Sequence, residues 1–338
     1  MKAAVLHEFK TPLALSNVPR PEPDSNEVLI QVEACGVCHS DLHLADGDWK
    51  QLSRIVKRPL ILGHEIAGRV VEVGGAVRDR KVGDRVGVPW IYWTCGECEF
   101  CTAGNENLCV KQKLTGATVD GGFAEFVKAP ASHATPIPDA LSSIEAAPLF
   151  CAGVTVYRAL KKARILGGQR LAVFGVGGLG HLGIQIGCAL GAEVAAVDIS
   201  EEKLALAKAC GASHVFNAVA SDAVKELRRL GGMHVVMVAS PSKAAYDAAF
   251  ASLRPGGTLL VVGLPAEPIC FQAVMMAAVE VCIQASAVGT RRDLEDVLKL
   301  GAAGKIKCHV RTRPLADVNQ VMDELRRGQI SGRVALTL

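Results

Sequence analysis

A thiol, two imidazoles, a hydroxyl and a carboxylate fall within Gly36-Val37-Cys38-His39-Ser40-Asp41-Leu42-His43, just after the apolar run Val28-Leu29-Ile30-Gln31-Val32. A soft metal ligand beside groups that carry protons suits a catalytic metal better than a disulfide. On that stretch alone, a buried thiol flanked by surface histidines is an equal reading. Two other segments tip the balance: Gly63-His64-Glu65 and Cys151-Ala152-Gly153. Two thiols and one imidazole from separate segments hold a tetrahedral zinc at three corners and leave the fourth open, which is what makes a zinc catalytic. Taken singly, His64 reads as a satisfied core histidine; in company with Cys38 and Cys151 it reads as a ligand. Glu65 beside it either swings in as a temporary ligand or tunes the field around the metal.

Cys95-Gly96-Glu97-Cys98-Glu99-Phe100-Cys101, with Cys109 eight residues on, is the densest chemical signal in the chain. Four thiols this close in sequence wrap one tetrahedral zinc without long-range folding. Filling every corner with protein makes the site closed and structural. An iron–sulfur cluster is the rival occupant, but the spacing lacks the Cys-Pro ending of bacterial ferredoxins.

A third constellation is Gly175-Val176-Gly177-Gly178-Leu179-Gly180, which follows a strand-like run and opens a helical one, with Asp198 at the end of the next strand. The glycines permit a tight turn and let a pyrophosphate approach a helix N-terminus, while the carboxylate accepts from a ribose hydroxyl. Asp198 would repel a 2′-phosphate, so NAD(H) is favoured over NADP(H). A glycine-rich turn with no ligand is the alternative.

The elements that must position these groups fall into two rhythms. Up to about residue 150 the chain is rich in short β-like runs (Ala3–Leu6, Glu27–Val32, Gly68–Val73, Arg85–Val88) punctuated by Gly, Pro and Asp. After Cys151, strands alternate with helices: Leu171–Phe174, a helix through Leu190, Glu193–Asp198, a helix to about Cys210, then runs at His214–Phe216, Val235–Val238, Thr258–Val262 and Cys282–Val288. That alternation predicts a parallel, doubly wound sheet. A helix from about Gly289 follows, and the tail Arg333–Leu338, alternating at Val334, Leu336 and Leu338, reads as a strand returning to the first domain.

Composition agrees with an α/β chain of two domains: 338 residues, 50% hydrophobic, 34 glycines and few aromatics. Lys+Arg 37 against Asp+Glu 34 leaves no basic run to attract nucleic acid. No secretory signal and no membrane-spanning run are evident, which implies a cytoplasmic protein without a membrane partner. In that setting 12 cysteines point to metal rather than disulfides. Those outside the clusters (Cys35, Cys188, Cys210, Cys270, Cys282, Cys308) read as small core residues, and Arg291 and Arg292 as surface charges.

Together these motifs resemble the zinc-dependent alcohol dehydrogenases of the medium-chain dehydrogenase/reductase superfamily. The resemblance runs from Met1 to Leu338. It also rests on Asp120-Gly121-Gly122-Phe123-Ala124-Glu125, Cys151-Ala152-Gly153-Val154-Thr155, Val262-Gly263-Leu264-Pro265 and Gly332-Arg333-Val334.

The resemblance implies a GroES-like β-rich catalytic domain (1–153 and 289–338) interrupted by a Rossmann NAD-binding domain (154–288), with the active site in the cleft between them. It implies two zinc ions per chain, a catalytic one on Cys38, His64 and Cys151 and a structural one on Cys95, Cys98, Cys101 and Cys109. Asp41 and Glu65 would orient His64 and shape the charge around the metal. Ser40 would take the substrate's hydroxyl proton, which would leave through the cofactor ribose and His43. His39 and Arg333 would lie near the pyrophosphate, and Asp198 and Lys203 near the adenosine ribose. Thr155, Leu179 and Val262 would lie against the nicotinamide, with Leu264 also at the cofactor.

The implied reaction is reversible hydride transfer from a small primary alcohol to NAD+. A polyol, aromatic-alcohol or formaldehyde-class dehydrogenase is the second reading, and a redox-inactive NAD-binding regulatory protein the third. Departures from the family concern the pocket. Ser40 stands where many relatives have Thr, and the segment Trp49–Pro59 is a few residues longer than in close relatives. Trp49 and Trp90 match pocket aromatics of microbial members; packing aromatics are the other reading, and the better one for Trp93. The short stretch between Cys109 and Asp120 resembles tetrameric microbial members, implying a homotetramer.

Overall fold

A computed structural model describes residues 1–265 and 267–338, apart from the side chains of Gln51 and Leu52, which lie in the Trp49–Pro59 segment. It divides into two compact units. Unit 1 is Met1–Cys151, Thr290–Ala303 and Cys308–Leu338; unit 2 is Ala152–Gly289 and Gly304–Lys307. Unit 1 is the expected β-rich domain and unit 2 the expected Rossmann domain.

Unit 1 is built on a seven-stranded sheet whose centre is the strand Glu27–Gly36. It pairs antiparallel with Glu65–Val73 on one side and with Arg333–Thr337 on the other, while Phe126–Pro130 pairs with its first half. A three-stranded sheet of Ala14–Asn17, Lys2–Leu6 and Leu60–Ile61 packs with it around Leu6, Ile30, Leu60, Ile66 and Phe123, all fully buried. The β-branched and leucine residues of these strands close a continuous core, which stabilises by removing apolar surface from water.

Unit 2 is a six-stranded, all-parallel sheet. Its spatial order is His214–Asn217, Glu193–Asp198, Arg170–Phe174, Met233–Val238, Leu253–Val261, Cys282–Ala285. This is the 3-2-1-4-5-6 order of a dinucleotide fold, with the strand order reversing beside Arg170–Phe174. Its inner strands are near-continuous apolar runs because helices cover both faces. Val235, Val236, Met237 and Val238, for example, are all buried.

The tail forms the expected strand, Arg333–Thr337, paired with Glu27–Gly36 in unit 1, and its Arg333, Val334, Ala335 and Leu336 are all buried. Two expectations need correction. The last run ends at Ala285 rather than Val288, because the ladder of the neighbouring strand stops at Val261 and Val288 takes a left-handed φ of 37°. Cys270 and Cys282 are not core residues but exposed. The first lies in the loop before the helix Ala273–Val279 and the second on the terminal strand of the sheet.

Candidate active site

Cys38 is placed by two local events. The strand ends at Gly36, and Cys38 (φ −116°, ψ 154°) becomes the N-cap of the helix His39–Asp46. Asp41, in the first turn, reaches back so that its Oδ2 accepts the Cys38 N–H at 2.8 Å. This is the return half of a capping box, and it satisfies a helix-terminal donor. Its other oxygen, Oδ1, accepts from His64 Nδ1 at 3.0 Å and from the Gly63 N–H at 3.3 Å. One fully buried carboxylate thus ties two remote segments together and fixes the histidine's tautomer, with the proton on Nδ1 and the lone pair on Nε2.

That lone pair points at a cluster. The ligand atoms of Cys38, His64, Glu65 and Cys151 all lie within 4.8 Å of one another. Cys151 arrives at the end of the 3-10 turn Ala147–Phe150. Buried His64 Nε2 and Glu65 Oε2 have no hydrogen-bond partner among the described residues. An unpaired buried acceptor is costly unless something fills its place, and two thiols, an imidazole and a carboxylate are the donor set that zinc takes. A hydrogen bond between the two thiol groups draws Cys38 well below the ordinary thiol range and, with burial, pushes Cys151 well above it. Metal binding takes thiols as thiolates and releases their protons.

Around the cluster, Ser40 Oγ lies 3.7 Å from Cys38 Sγ. Trp90 presents an edge-on ring to His64 with 4.9 Å between centroids. His43 stacks on Trp49 at 4.7 Å and its Nδ1 is 3.3 Å from Asp48 Oδ2. No hydrogen bond joins Ser40 directly to His43 among the described residues, so a proton passing between them needs an intermediary. His39 opens the same helix and is half-buried. Arg333 is 4% exposed, and its Nη2 donates to Glu65 Oε1. Burial pushes the Glu65 carboxyl up to about 7 against the opposing pull of Arg333. Sequence reasoning did not anticipate this Glu65–Arg333 pair; its partners are 268 residues apart in the chain.

The second metal cluster is Cys95, Cys98, Cys101 and Cys109, whose sulfurs also lie within 4.8 Å of one another. Backbone N–H groups of Glu97 and Cys98 donate to Cys95 and lower its thiol to about 6. This lobe is tied down by Glu106, whose Oε1 accepts from the Arg291 N–H at 2.9 Å. Arg291 is exposed, as expected of a surface charge, and its Nη1 also donates to the Ser132 carbonyl at 3.1 Å.

In unit 2 the glycine turn follows the strand Arg170–Phe174. Gly175 has φ 91°, and a Cβ on Gly180 would sit 1.9 Å from the Gly175 carbonyl, so the turn and the helix packing demand both glycines. A Cβ on Gly177 would meet nothing within 4 Å. The protein itself does not require that glycine, which leaves room for a ligand to approach the backbone. Gly178 and Leu179 lead into the helix Gly180–Ala189. Asp198 does more than the sequence suggested: it accepts from the N–H groups of Val176 (2.7 Å), Ile199 (2.8 Å) and Ser200 (3.1 Å). A carboxylate has about four acceptor positions, so roughly one remains for a ribose hydroxyl. Lys203 is half-buried in the first turn of the next helix, Thr155 half-buried on the helix Ala152–Lys162, Val262 buried and Leu264 exposed.

Residues 24–139 match the family described as "Alcohol dehydrogenase GroES-like domain", and residues 178–303 match "Zinc-binding dehydrogenase". An alcohol dehydrogenase of Geobacillus stearothermophilus is 47% identical over 337 residues, 99% of each chain. Among solved structures, the alcohol dehydrogenase of the hyperthermophilic archaeon Aeropyrum pernix superposes with a TM-score of 0.94 at 36% identity, covering 100% of both chains. An acetophenone reductase from Geotrichum candidum, solved in complex with NAD, gives 0.91 at 31% identity, covering 100% of this chain and 97% of its own.

Proposed function

Because this chain belongs to the zinc-type alcohol dehydrogenases of the medium-chain dehydrogenase/reductase superfamily, we propose that it oxidises small primary alcohols to aldehydes with NAD+, and runs the reverse reaction. The observation that carries this reading is the buried His64 Nε2 without a partner, facing Cys38, Cys151 and Glu65. When bound, zinc supplies the Lewis acidity that lowers an alcohol's hydroxyl pKa, and NAD+ supplies the hydride acceptor.

The chain's own residues do the rest. Cys38, His64 and Cys151 are the catalytic ligands, and Cys95, Cys98, Cys101 and Cys109 the structural set. Asp41 keeps His64 in the ligating tautomer. Two thiolates would balance the charge of a bound dication, and the Glu65–Arg333 pair opposes one charge with another beside them. Ser40 Oγ would accept the hydroxyl proton as it releases its own, which would reach His43 through an intermediary and leave from His43 to solvent. Trp49 and Trp90 narrow the pocket toward short primary substrates, as Trp90's edge contact with His64 suggests. In the cofactor domain, Asp198 takes the ribose hydroxyls and Lys203 flanks them, while the turn from Gly175 to Gly180 holds the pyrophosphate. Thr155, Leu179, Val262 and Leu264 line the nicotinamide side.

A cytoplasmic homotetramer belongs to the same reading. The terminal strand Cys282–Ala285 and the neighbouring helix Ala273–Val279, with Val274 70% and Met275 49% exposed, support self-association. Six of the twelve cysteines gather in two metal-type clusters, a use of thiols that a reducing compartment favours. No described helix is long and apolar enough to cross a membrane.

NADH formation with primary, secondary, polyol and aromatic alcohols, each with NAD+ and NADP+, tests the proposal. The highest kcat/KM belongs to a short primary alcohol with NAD+. A polyol or aromatic alcohol in first place refutes the substrate assignment, and no turnover with any alcohol refutes the activity.

A further inference from the structure

Glu65 and Arg333 belong to strands that do not touch. Between them runs Glu27–Gly36, and the residue facing Glu65 across the ladder is Gly36, which on its other side faces Ala335. The Glu65 side chain crosses over Gly36 to reach Arg333. A Cβ built on Gly36 would lie 1.9 Å from Glu65 Oε2, 2.9 Å from Cδ and 3.0 Å from Cβ. Gly36 has no left-handed φ and sits inside a regular strand, so its backbone does not call for glycine. The side-chain route above it does.

We infer that Gly36 is a positioning residue: by leaving a lane open across the central strand, it holds the Glu65 carboxylate on Arg333 and off the metal held by Cys38, His64 and Cys151. This rests on the catalytic-zinc reading of those ligands. Glu65 is fully buried, and its carboxylate already lies within 4.8 Å of all three ligand atoms. A buried carboxylate must have a cationic partner. Within reach there are two, the Arg333 guanidinium and the ion itself. Oε1 is on Arg333, whereas Oε2 has no hydrogen-bond partner among the described residues. Blocking the lane with one methyl group drives the carboxylate from the first partner toward the second, where it takes the corner that substrate needs.

The test replaces the catalytic zinc by cobalt(II) and follows imidazole binding through the visible d–d bands. This readout reports the donor set and needs no alcohol turnover, so it stands apart from the substrate assignment. In Gly36→Ala the bands change before any ligand is added. The Kd for imidazole rises by about tenfold or more, because a tethered carboxylate competes at high effective concentration. Removing the carboxylate in Gly36→Ala/Glu65→Gln returns the imidazole Kd to within about threefold of the parent, one tenfold step being 1.4 kcal/mol. An unchanged spectrum and Kd in Gly36→Ala overturn the inference. So does a weakened Kd that persists in the double variant, since the methyl group itself would then be the obstacle. Should Gly36→Ala fail to fold, Arg333→Gln frees the same carboxylate from its other end with the lane intact, and an unchanged cobalt spectrum there overturns the inference as well.

Discussion

Replacing Asp41 by Asn changes one atom's chemistry and sets two requirements of the site against each other. The carboxylate accepts on both oxygens, with Oδ2 taking the Cys38 N–H and Oδ1 the Nδ1–H of His64 and the N–H of Gly63. The amide that replaces it has one carbonyl oxygen and one NH2. If the oxygen faces His64, the NH2 meets the Cys38 N–H donor to donor. The helix cap is lost at about 1 kcal/mol, and a buried N–H goes unpaired at about 1–3 kcal/mol. If the oxygen faces Cys38, the NH2 meets His64, whose proton must move to Nε2, the atom aimed at Cys38, Glu65 and Cys151. The histidine then cannot ligate. Both arrangements weaken the site, the first through stability and the second through the metal. Because Asp41 is fully buried, water does not relieve either clash. The expected result is a loss of about 10–100-fold in affinity for the catalytic zinc. Melting falls by about 4–8 °C, corresponding to about 2 kcal/mol in a unit of this size. Competition against a graded series of chelators measures the first, and calorimetry the second. Asp41→Asn with zinc affinity within about twofold of the parent and unchanged melting refutes the reasoning.

Cys38→Ser is expected to lower bound zinc by one ion per chain and abolish alcohol oxidation, leaving NAD binding and the four-cysteine lobe intact; retained turnover would refute the ligand assignment. Asp198→Ala loosens the turn through the lost Val176 bond and weakens both cofactors. Binding titrations should show NAD+ suffering more, with the NAD+/NADP+ preference falling by about tenfold or more, and an unchanged ratio counts against the ribose role. Burial, aided by the Arg291 charge, holds His133 down to about 4. The unfolded chain therefore takes up this proton at about 6.5 and the folded chain not until about 4. Stability present above about pH 6.5 is lost across that window by about 3 kcal/mol. Denaturant titrations of the parent and His133→Gln should show their stability difference shrinking by that amount as pH falls, and parallel pH curves would sink the assignment.

The legibility of the site follows the distance over which its parts interact. The four-cysteine lobe is readable because its ligands lie within one loop, where spacing alone brings the sulfurs together. The Gly175–Gly180 turn and Asp198 are readable because a strand, a turn and a helix are set by local φ/ψ and hydrophobic period. Cys38, His64 and Cys151 become a set through resemblance, since nothing local in the chain joins them. Residue-level boundaries go astray where pairing with a neighbouring strand decides them, as at Ala285 and Val261. Cys282 reads as core because its surroundings in sequence are apolar, yet exposure depends on what lies beyond the last strand.

By itself, then, the order of residues determined the two kinds of domain, the metal-binding loop and the cofactor turn. Each of these follows from interactions among near neighbours. Tertiary structure alone decided that Asp41 serves both a helix cap and His64, that Glu65 reaches across Gly36 to Arg333, and that Glu106 of the lobe holds Arg291. Such pairs join residues brought side by side by sheet register, and register is settled by burying one continuous core, a property of the whole sheet that no single stretch of sequence carries.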